Sequence, residues 1–547
     1  MTDTMNSSVK DLSRRKFMQK VALGSLALVG SNSLLSCLTT KKSTRKRPNI
    51  LFIMSDDHAA NAISAYQGWL AETLPTHNID RIAIQGMRFD NCFCTNSICT
   101  PSRASILTGQ YGHINGVRTL DDPLPLETRN VAHELQKSGY QTAIIGKYHL
   151  HGDPQGFDHW NVLTGVLGQG TYFDPVMKNQ NGVEKVYPGY ATDVVTDETL
   201  KWLESRNDDK PFFLMCQHKA PHGLWEYPQR YEHLLDGIEV PEPPSFWEDK
   251  SHRSESTKGY GSNLFKLGKR MEKGSAGREW PTGALDAAGM DQDQIKKAGY
   301  QKYIKDYLRC VAAIDENVGR VLDYLDESGL AENTVVIYTS DQGQFLGEHD
   351  YYDKRWMYED SLRMPFLVKY PGVTKAGSND KSLVLNIDFA PLFLNIADAD
   401  KSPNMQGDSF LPQLSGNVPT TWRTSMYYRY WMHMAHHNVP AHYGIRTDRY
   451  KLIFFYGLGL GLVGEKTSET MDKTTEALDH YRPSPPGWEL YDLQNDPGEL
   501  KNVYNNLEYT DVIENLKSEL LLLKKQYGDD DEIYPDLMKV REKVWDV

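Results

Sequence analysis

Four short apolar runs, each followed at once by charged or metal-binding residues, constrain the fold of this chain more than any other feature. The runs occupy residues 50–54, 143–145, 212–216 and 335–338. Runs of this length without polar alternation are typical of strands that are buried on both faces of a parallel sheet. Because ligand sites in such sheets form at the carboxyl ends of the strands, we expect the four polar clusters to converge on one edge.

Segments with helical periodicity lie between these runs. Residues 130–140 and 311–330 carry apolar side chains at helical spacing, and each segment stops at a glycine. Strands that alternate with helices predict an α/β fold with a large mixed, mostly parallel sheet flanked by helices. Residues 224–300 have no clear periodicity, which is typical of a long functional loop.

The pattern changes near residue 418. The stretches "HYGIRTDRYKLIFFY" and "WELYDLQNDPGE" predict a hairpin-rich antiparallel sheet, and residues 507–527 predict a long helix after it. We therefore predict a large domain over residues 47–418 and a smaller C-terminal α+β subdomain over residues 419–547.

The N-terminus is typical of an export signal. "SRRKFMQK", residues 13–20, resembles a twin-arginine signal, and the apolar run after it is too short to span a bilayer. "LLSC", which ends at Cys37, resembles a bacterial lipoprotein cleavage box. We therefore predict a signal over residues 1–37, a lipid anchor at Cys37, a solvated tether over residues 38–46, and a periplasmic or cell-surface location. Ordinary cleavage with release of a soluble protein is the alternative.

Composition limits the partners and the role of the cysteines. The chain has 547 residues and a net charge of −13, so we expect no nucleic-acid partner, and any anionic substrate must meet a local cluster of positive charge. The cysteines beyond residue 37 are too few for a disulfide framework and lack zinc-site spacing. They are Cys92, Cys94, Cys99, Cys216 and Cys310. The last two lie in apolar or helical stretches and are predicted to be core residues.

The residues that follow the apolar runs form two chemical groups. Oxygen ligands suited to a hard cation such as Ca²⁺ or Mg²⁺ are Asp56, Asp57, Asp341 and Gln342. Cationic or proton-transferring groups are Lys147, His149, His222 and Lys354. Each residue alone is explained by a solvated turn, a helix cap or a hydrogen-bonded loop. Together, one metal and several cationic donors predict a pocket for a tetrahedral oxyanion.

A nucleophile for such a pocket is suggested by "CTPSR", residues 99–103. A helix that begins near Pro101 directs free N–H groups and the positive end of its dipole at Cys99, which would stabilise a thiolate. However, attack by a thiolate leaves a covalent ester that must then be hydrolysed, and no general base stands out for that step.

Cys-x-Pro-Ser-Arg is the signature of the formylglycine-dependent sulfatases, a branch of the alkaline-phosphatase-like superfamily, and the chain resembles this family from about residue 48 to residue 502. The resemblance covers six motifs in order. They are "NILFIMSDD", "CTPSRASILTGQYGHINGV", "IIGKYHL", "FFLMCQHKAPH", "YTSDQGQFLGEHDYYDKRWMYEDSLRMPFLVKYPG" and "ELYDLQNDPGE". The chain is most similar to bacterial polysaccharide sulfatases, including relatives of N-acetylglucosamine-6-sulfatases. This implies an alkaline-phosphatase-like fold and the hydrolytic removal of sulfate from a sulfated sugar or polysaccharide.

The resemblance also implies a mechanism. A separate maturation enzyme would oxidise Cys99 to formylglycine, whose hydrate attacks the sulfur and then expels sulfate by C–O cleavage. Cys92 and Cys94 lack the signature and are expected to remain thiols. The implied metal ligands, for Ca²⁺ or alternatively Mg²⁺, are Asp56, Asp57, the oxygen of residue 99, Asp341 and Gln342. Gln342 departs from the commoner Asn or His but is still an oxygen donor.

The remaining catalytic roles are carried over from the same motifs. Arg103 and Lys147 would orient the hydrate, and His149 would be the base for its collapse. His222 and Lys354 would bind the sulfate, and one of them would protonate the leaving oxygen. For Arg103, a purely structural ion pair is the alternative.

Residues that follow these motifs are candidates for the pocket mouth, because aromatic and histidine side chains suit sugar faces and hydroxyls. They are His349, Arg355, Trp356, His433, His436 and His437. For each aromatic residue, filling the interface between the two domains is the alternative. Two other functions stay open: a phosphonate or phosphodiester hydrolase on the same scaffold, and a non-catalytic glycan-binding surface lipoprotein. Loss of Cys99 or the aspartates would favour the second, but all are present.

Overall fold

The computed structural model of the chain describes residues 47–165, 168–273, 279–460 and 482–546. The predicted export signal, the anchor at Cys37 and the tether lie outside the described residues and stay predictions. Among the helices of the described ranges, none is long and apolar enough to cross a membrane.

The strands, in chain order, are β1 (Asn49–Ser55), β2 (Met87–Phe89), β3 (Cys92–Phe93), β4 (Gln141–Gly146), β5 (His159–Leu163), β6 (Val176–Asn179), β7 (Glu184–Val186), β8 (Phe212–Gln217), β9 (Thr334–Ser340), β10 (Phe345–Leu346), β11 (Tyr352–Asp353), β12 (Phe366–Lys369), β13 (Ser378–Asp380), β14 (Val384–Leu385), β15 (Ser425–Tyr430), β16 (His442–Thr447), β17 (Tyr450–Phe455) and β18 (Gly487–Asp492). Ten of them form one sheet in the order β13-β2-β12-β9-β1-β8-β4-β5-β6-β7. Its centre, from β9 to β5, is parallel, and antiparallel pairs lie at both sides. This confirms the predicted large, mostly parallel sheet.

The four apolar runs are neighbouring strands of that sheet, in the order β9-β1-β8-β4. They are apolar throughout because both faces of the sheet are covered. In β1, Ile50, Phe52 and Met54 pack into the core on one face. Leu51 and Ile53 pack into the core on the other face. The carboxyl ends of all four strands therefore meet at one edge.

The helices, in chain order, are α1 (His77–Gln85), α2 (Cys99–Thr108), α3 (Gly112–Asn115), α4 (Val131–Lys137), α5 (Ala191–Ser205), α6 (Leu264–Met271), α7 (Gln292–Glu327), α8 (Glu359–Leu362), α9 (Phe389–Ile396), α10 (Leu411–Leu414), α11 (Thr510–Tyr527) and α12 (Pro535–Val544). α4 begins where Asn130 accepts hydrogen bonds from the N–H groups of Ala132 and His133. α2 starts two residues before the predicted Pro101.

α7 corrects one prediction, because it begins at Gln292 rather than at residue 311. Asp291 and Gln294 form a capping box at its start, and Tyr300, Tyr303 and Tyr307 supply its buried face. Buried tyrosines replace the aliphatic residues that make helical periodicity easy to see. The predicted long loop over residues 224–300 therefore ends in a helix, and it also contains α6.

β15 to β18 form an antiparallel sheet in sequence order. This confirms the predicted C-terminal antiparallel sheet, and α11 packs against three of its strands. The first of these strands begins at Ser425, close to the boundary proposed near residue 418, which stays a prediction.

Candidate active site

The polar residues that follow β1, β9, β8 and β4 meet at the carboxyl edge of the sheet. Carboxylate oxygens of Asp56, Asp57 and Asp341 lie within 4.8 Å of one another. One donor atom each from Asp56, Cys99 and His222 also lie within 4.8 Å of one another. The expected convergence of four strand ends and the N-terminus of α2 is therefore present in the structure.

Within the described ranges, two side-chain oxygens beside these aspartates have no hydrogen-bond partner. Gln342 donates its amide N–H to Asp57 Oδ1, which leaves Gln342 Oε1 buried and unpartnered, and Asp56 Oδ1 is unpartnered too. A buried oxygen without a partner is costly, and a cation between these atoms would satisfy both. Carboxylate and amide oxygens are the donors that Ca²⁺ and Mg²⁺ prefer. The residues present therefore fit the cation that the family implies.

Each aspartate of the cluster also has a cationic partner. Lys147 Nζ contacts Asp56 Oδ2, and Lys354 Nζ lies 2.6 Å from Asp57 Oδ2. Arg103 Nε donates to Asp341 Oδ2 at 2.9 Å. These buried pairs hold the carboxylates in place while each leaves one oxygen for a metal or a neighbouring donor.

Arg103 has both a buried ion pair and a donor atom without a partner in the described residues. Its Nη1 donates to the carbonyl oxygen of Lys147 at 2.6 Å and to Gln217 Oε1 at 2.8 Å, so the side chain is fixed between α2, β4 and β8. Its Nη2 is buried without a hydrogen-bond partner. The structural ion pair therefore coexists with a free donor that faces the cluster, 3.7 Å from Asp56 Oδ1.

Cys99 is the first residue of α2, and every residue of this helix is buried. The helix is tied to the acidic cluster by Ser102, which donates to the carbonyl oxygen of Asp341 and accepts from Asn386 Nδ2 at 2.9 Å. Burial raises the pKa of the Cys99 thiol to about 12, although Lys354 opposes the shift. An unmodified Cys99 is therefore a neutral thiol at physiological pH and a weak nucleophile.

The two candidate histidines are both neutral in this environment. Burial, reinforced by the charges of Lys147 and Arg103, holds the pKa of His149 well below its usual value, and its Nδ1 is buried and unpartnered. Burial, with Lys147 and Lys354, also lowers the pKa of His222. His222 Nδ1 donates a hydrogen bond to the carbonyl oxygen of Gly223 at 2.9 Å. The other ring nitrogen, Nε2, therefore faces the cluster and lies 3.8 Å from Asp57 Oδ2. The unpartnered Nδ1 of His149 is a site for a proton, and an anion that offsets the neighbouring cations would favour the protonated form of either histidine.

The pKa of Asp57 reflects the negative charge concentrated in the cluster. Burial raises the pKa of its carboxyl to about 6, and Asp341 adds to the shift while Lys354 opposes it. Two carboxylates this close repel each other, which is the arrangement that a divalent cation relieves.

Of the residues predicted at the pocket mouth, two meet beside Lys354. Arg355 Nε donates to Asp353 Oδ2 at 2.9 Å, and His437 Nε2 lies 3.4 Å from the other oxygen of Asp353. Arg355 Nη1 also donates to the Tyr430 hydroxyl at 3.3 Å. His436 is exposed. Whether these residues contact substrate stays a prediction.

The other predicted mouth residues lie in the interior, which corrects their expected position. His349 Nδ1 lies 2.7 Å from Glu248 Oε2, and its side chain is only 1% exposed. Trp356 stacks between Tyr351 and Tyr358. His433 is buried, and its Nε2 donates a hydrogen bond to the carbonyl oxygen of Arg482 at 3.0 Å.

Three residues that support the site were not assigned from the sequence. Gln217, which fixes Arg103, is the polar residue at which the third apolar run ends, so the same pattern could have found it. Gln169 accepts from Lys147 Nζ at 3.2 Å, and Asp353 joins Arg355 to His437. Gln169 lies in a turn and Asp353 ends the two-residue strand β11, so neither position gives a periodic signal.

An acidic, metal-suited cluster ringed by cations at the carboxyl edge of this sheet defines an alkaline-phosphatase-like hydrolase of anionic esters. The sulfatase family model matches residues 48–399. A second model, for the C-terminal part of N-sulphoglucosamine sulphohydrolase, matches residues 347–459 and 469–526. The chain therefore belongs to the sulfatase family, and it is a sulfuric ester hydrolase.

Comparison with individual proteins agrees with this assignment. The chain is 38% identical over 533 residues to an N-acetylglucosamine-6-O-sulfatase of Bacteroides thetaiotaomicron, covering 91% of this chain and 90% of that protein. A solved structure described as a complex with its substrate D-glucosamine-2-N,6-O-disulfate is 37% identical, with a TM-score of 0.77 over 90% of this chain and 99% of that one. The phosphonate monoester hydrolase of Agrobacterium radiobacter is 20% identical, with a TM-score of 0.67 over 88% and 96% of the two chains, and shares the fold alone.

Proposed function

We propose that this sulfatase removes the 6-O-sulfate from a sulfated glucosamine or N-acetylglucosamine unit of a carbohydrate. It would use a formylglycine made from Cys99 and one divalent cation, Ca²⁺ or Mg²⁺. The choice of sugar is supported by the likeness to the B. thetaiotaomicron enzyme along nearly the whole of both chains. It is also supported by the substrate in the related solved structure.

The observation that carries the chemistry is the position of Cys99. Its side chain lies within 4.8 Å of donor atoms of Asp56 and His222, at a helix N-terminus beside three cation-paired aspartates. Burial keeps the thiol protonated there, so the residue is well placed but poorly suited to attack as a cysteine. When present, formylglycine supplies a hydroxyl nucleophile and the cation neutralises charge, which are the two properties that the unmodified site lacks.

The chain's own residues supply the proton transfers and the anion binding. His149, with a neutral ring and an unpartnered Nδ1, would take up a proton on the nucleophile side. His222, with Nε2 facing the cluster, would be protonated in the presence of the sulfate ester and would donate that proton to the leaving sugar oxygen as the S–O bond breaks. Lys147, Lys354 and Arg103 would bind the sulfate and orient residue 99. The net reaction consumes one water and yields the sugar alcohol and hydrogen sulfate.

Maturation and location belong to the same proposal. A formylglycine-generating enzyme would read residues 99–103, and the export signal over residues 13–20 would carry the protein to the periplasm or the cell surface. Cys37 would hold it there by a lipid anchor. The export signal, the lipid anchor and the maturation step are supported by sequence motifs alone.

The test is turnover of a panel of monosulfated sugars by enzyme co-expressed with a formylglycine-generating enzyme. We expect hydrolysis of N-acetylglucosamine 6-sulfate and none of the 3-sulfate. Cys99→Ala should lower kcat/KM by at least about 10³-fold, as loss of a nucleophile does in other hydrolases. The matched control is Cys94→Ala, a buried thiol five residues upstream that lies outside the signature and should retain activity.

Two outcomes would count against the proposal. Full activity of Cys99→Ala would exclude residue 99 as the nucleophile. Equal turnover of every positional isomer would exclude the assigned 6-O specificity. A matched phosphonate monoester in the same panel separates the remaining scaffold-level alternative, and we expect it to be the poorer substrate.

A further inference from the structure

Lys219 lies beside the acidic cluster and has no assigned role. The backbone around it is fixed to the end of β1: the N–H of His218 donates to the carbonyl oxygen of Met54 at 2.8 Å, and the carbonyl oxygen of Ala220 accepts from the N–H of Asp56 at 3.2 Å. Lys219 is therefore held next to a predicted metal ligand by the same strand pair, β1 and β8, that builds the site.

Lys219 forms no direct ion pair within the part of the chain that the structure describes. The other cations at the cluster each pair with an aspartate: Lys147 with Asp56, Lys354 with Asp57 and Arg103 with Asp341. Within the residues that the structure describes, Lys219 Nζ has neither a hydrogen bond nor a carboxylate within 4.0 Å. Its contact is with the ring face of Tyr172, 5.1 Å from the centroid. Its exposed fraction is only 7%, so little of the side chain contacts water, and an ammonium in this setting gains from binding an anion.

The pKa shifts agree with a position among the other cations. After burial, the charge of Lys219 is the largest cause that lowers the pKa of Lys147. Burial lowers the pKa of Lys219 itself to about 8, with Glu226, Asp57 and Cys99 opposing the shift. The pocket thus has three cations in direct ion pairs with aspartates and a fourth, Lys219, that forms no ion pair among the described residues, and a divalent metal would add positive charge beside it. An anion entering the pocket would offset this positive charge.

Tyr172 connects Lys219 to the catalytic machinery. Its ring lies under the ammonium, and its hydroxyl donates to the carbonyl oxygen of His222. Tyr172 in turn stacks on Tyr190, with the centroids 5.8 Å apart, and the Tyr190 hydroxyl donates to the carbonyl oxygen of Glu226 at 3.0 Å. The two tyrosines therefore hold the segment from Lys219 to Glu226 in one position.

We propose that Lys219 is a sulfate-binding residue, whose Nζ donates to a non-bridging oxygen of the sulfate that is removed, and that Tyr172 is its positioning residue. The proposal rests on the sulfatase activity but not on which sugar carries the sulfate, nor on the conversion of Cys99. Its test can therefore use inorganic sulfate, the product, without turnover.

The experiment compares Lys219→Met with the parent chain in calcium-containing buffer, by calorimetric titration of inorganic sulfate and by thermal unfolding. Loss of one charge-assisted hydrogen bond should weaken sulfate binding by about 10- to 100-fold. The Tm should stay unchanged or rise, because a poorly solvated ammonium that forms no ion pair among the described residues has been removed. Lys219→Arg should recover part of the affinity.

If Lys219 has only a structural role, Lys219→Met should give the opposite pair of results. Its affinity for sulfate should be unchanged, and its Tm should be lower because the contact with Tyr172 is lost. That outcome would overturn the proposal. The matched control is Lys296→Met, which removes another buried lysine packed on aromatic rings, 4.1 Å from the centroid of Trp247. Because Lys296 already pairs with Asp350 at 3.2 Å, this variant should keep the parent's affinity for sulfate.

A kinetic arm identifies which sulfate is bound. If Lys219 contacts the sulfate that is removed, Lys219→Met should lower kcat/KM equally for 6-O-monosulfated and 2-N,6-O-disulfated glucosamine. A loss confined to the disulfated sugar would assign Lys219 to a second sulfate and overturn the proposal as stated. Sulfate titration of Cys99→Ala separates this inference from the proposed function, since that variant should still bind sulfate through Lys219.

Discussion

At the scale of single residues, the acidic cluster is defined by the oxygens that have no partner. Gln342 donates its N–H to Asp57, and its Oε1 has no hydrogen-bond partner among the described residues, which suits Gln342 to act as both a metal ligand and an orienting group. The sequence could identify Gln342 because it follows β9 directly. It could not identify Gln169 as the second contact of Lys147, because these residues meet only through the fold.

Gln342→Leu should weaken Ca²⁺ binding, because it removes an oxygen donor and the hydrogen bond to Asp57. We expect at least about a 10-fold loss of affinity, the usual effect of disturbing a metal site. The measurement is the Ca²⁺-dependent rise in Tm, which follows the dissociation constant by mass action. Gln342→Asn should retain more affinity than Gln342→Leu.

The control for this prediction is Gln344→Leu. Gln344 is equally buried two residues further along, and its amide contacts the Tyr303 hydroxyl at 3.3 Å rather than the cluster. A Ca²⁺ response that is identical in Gln342→Leu and the parent would show that Gln342 is not a ligand.

At the scale of elements, the sequence predicted the strands better than the helices and loops. Apolar runs that are buried on both faces have few alternative structures, so the runs that became β1, β4, β8 and β9 were recognisable. α7 was predicted too short because tyrosines form the buried face of its first half. The loop after β10 was misjudged at His349, since the groups that hold this residue inside, Glu248 and Arg253, come from a segment without periodicity.

The junction of β4 and β8 offers an element-scale prediction. Gly146, the last residue of β4, has a φ of +101°, and a Cβ there would lie 2.0 Å from the carbonyl oxygen of Gln217. The same oxygen accepts the N–H of Lys147 at 2.8 Å. Gly146→Ala should therefore separate the two strands where Lys147 enters the site, and it should lower both the free energy of unfolding and kcat.

Gly182→Ala is the matched control, because Gly182 has a φ of +75° and a Cβ would meet nothing within 4 Å. It should show only the conformational cost of about 1–2 kcal/mol and normal activity. Chemical denaturation and steady-state kinetics measure both quantities. A Gly146→Ala variant no less stable than Gly182→Ala would refute the close approach at Gln217.

At the scale of the whole molecule, the C-terminal residues are bound to the antiparallel sheet by buried charges. Arg429 on β15 pairs with Asp529 at 2.7 Å and lies 3.7 Å from the centroid of the Trp431 ring. Lys524 pairs with Asp531 at 2.9 Å. Arg429 and Asp529 are 100 positions apart in the sequence, so no local pattern could have predicted their pairing. They fix β15, whose Tyr428 hydroxyl donates to the carbonyl oxygen of Arg355 at 2.8 Å, next to Lys354.

This network should make stability depend on pH. Although burial opposes it, Arg429 and then Lys524 hold the pKa of Asp529 below its usual value. A carboxyl whose pKa is lower in the folded state stabilises fully above the unfolded pKa of about 3.9, and the stabilisation is lost as the pH falls below that value. The free energy of unfolding should therefore fall as the pH decreases from about 5.

Asp529→Asn should lose about 3–5 kcal/mol at neutral pH, since it leaves Arg429 without its main buried partner. It should also show a shallower fall in acid. Asp530→Asn, an exposed neighbour, is the control and should follow the parent. Denaturant titrations at several pH values measure this, and parallel curves for Asp529→Asn and the parent would contradict the assigned role of Asp529.

The central claim is that residue 99 acts as formylglycine in a site built for a cation and a sulfate ester. The most direct measurement is the mass of the peptide that contains residue 99, taken from active enzyme co-expressed with a formylglycine-generating enzyme. We predict that the CH₂–SH group of Cys99 has become an aldehyde, while Cys92 and Cys94 keep their thiols. A fully active preparation in which residue 99 is still a thiol would contradict the account.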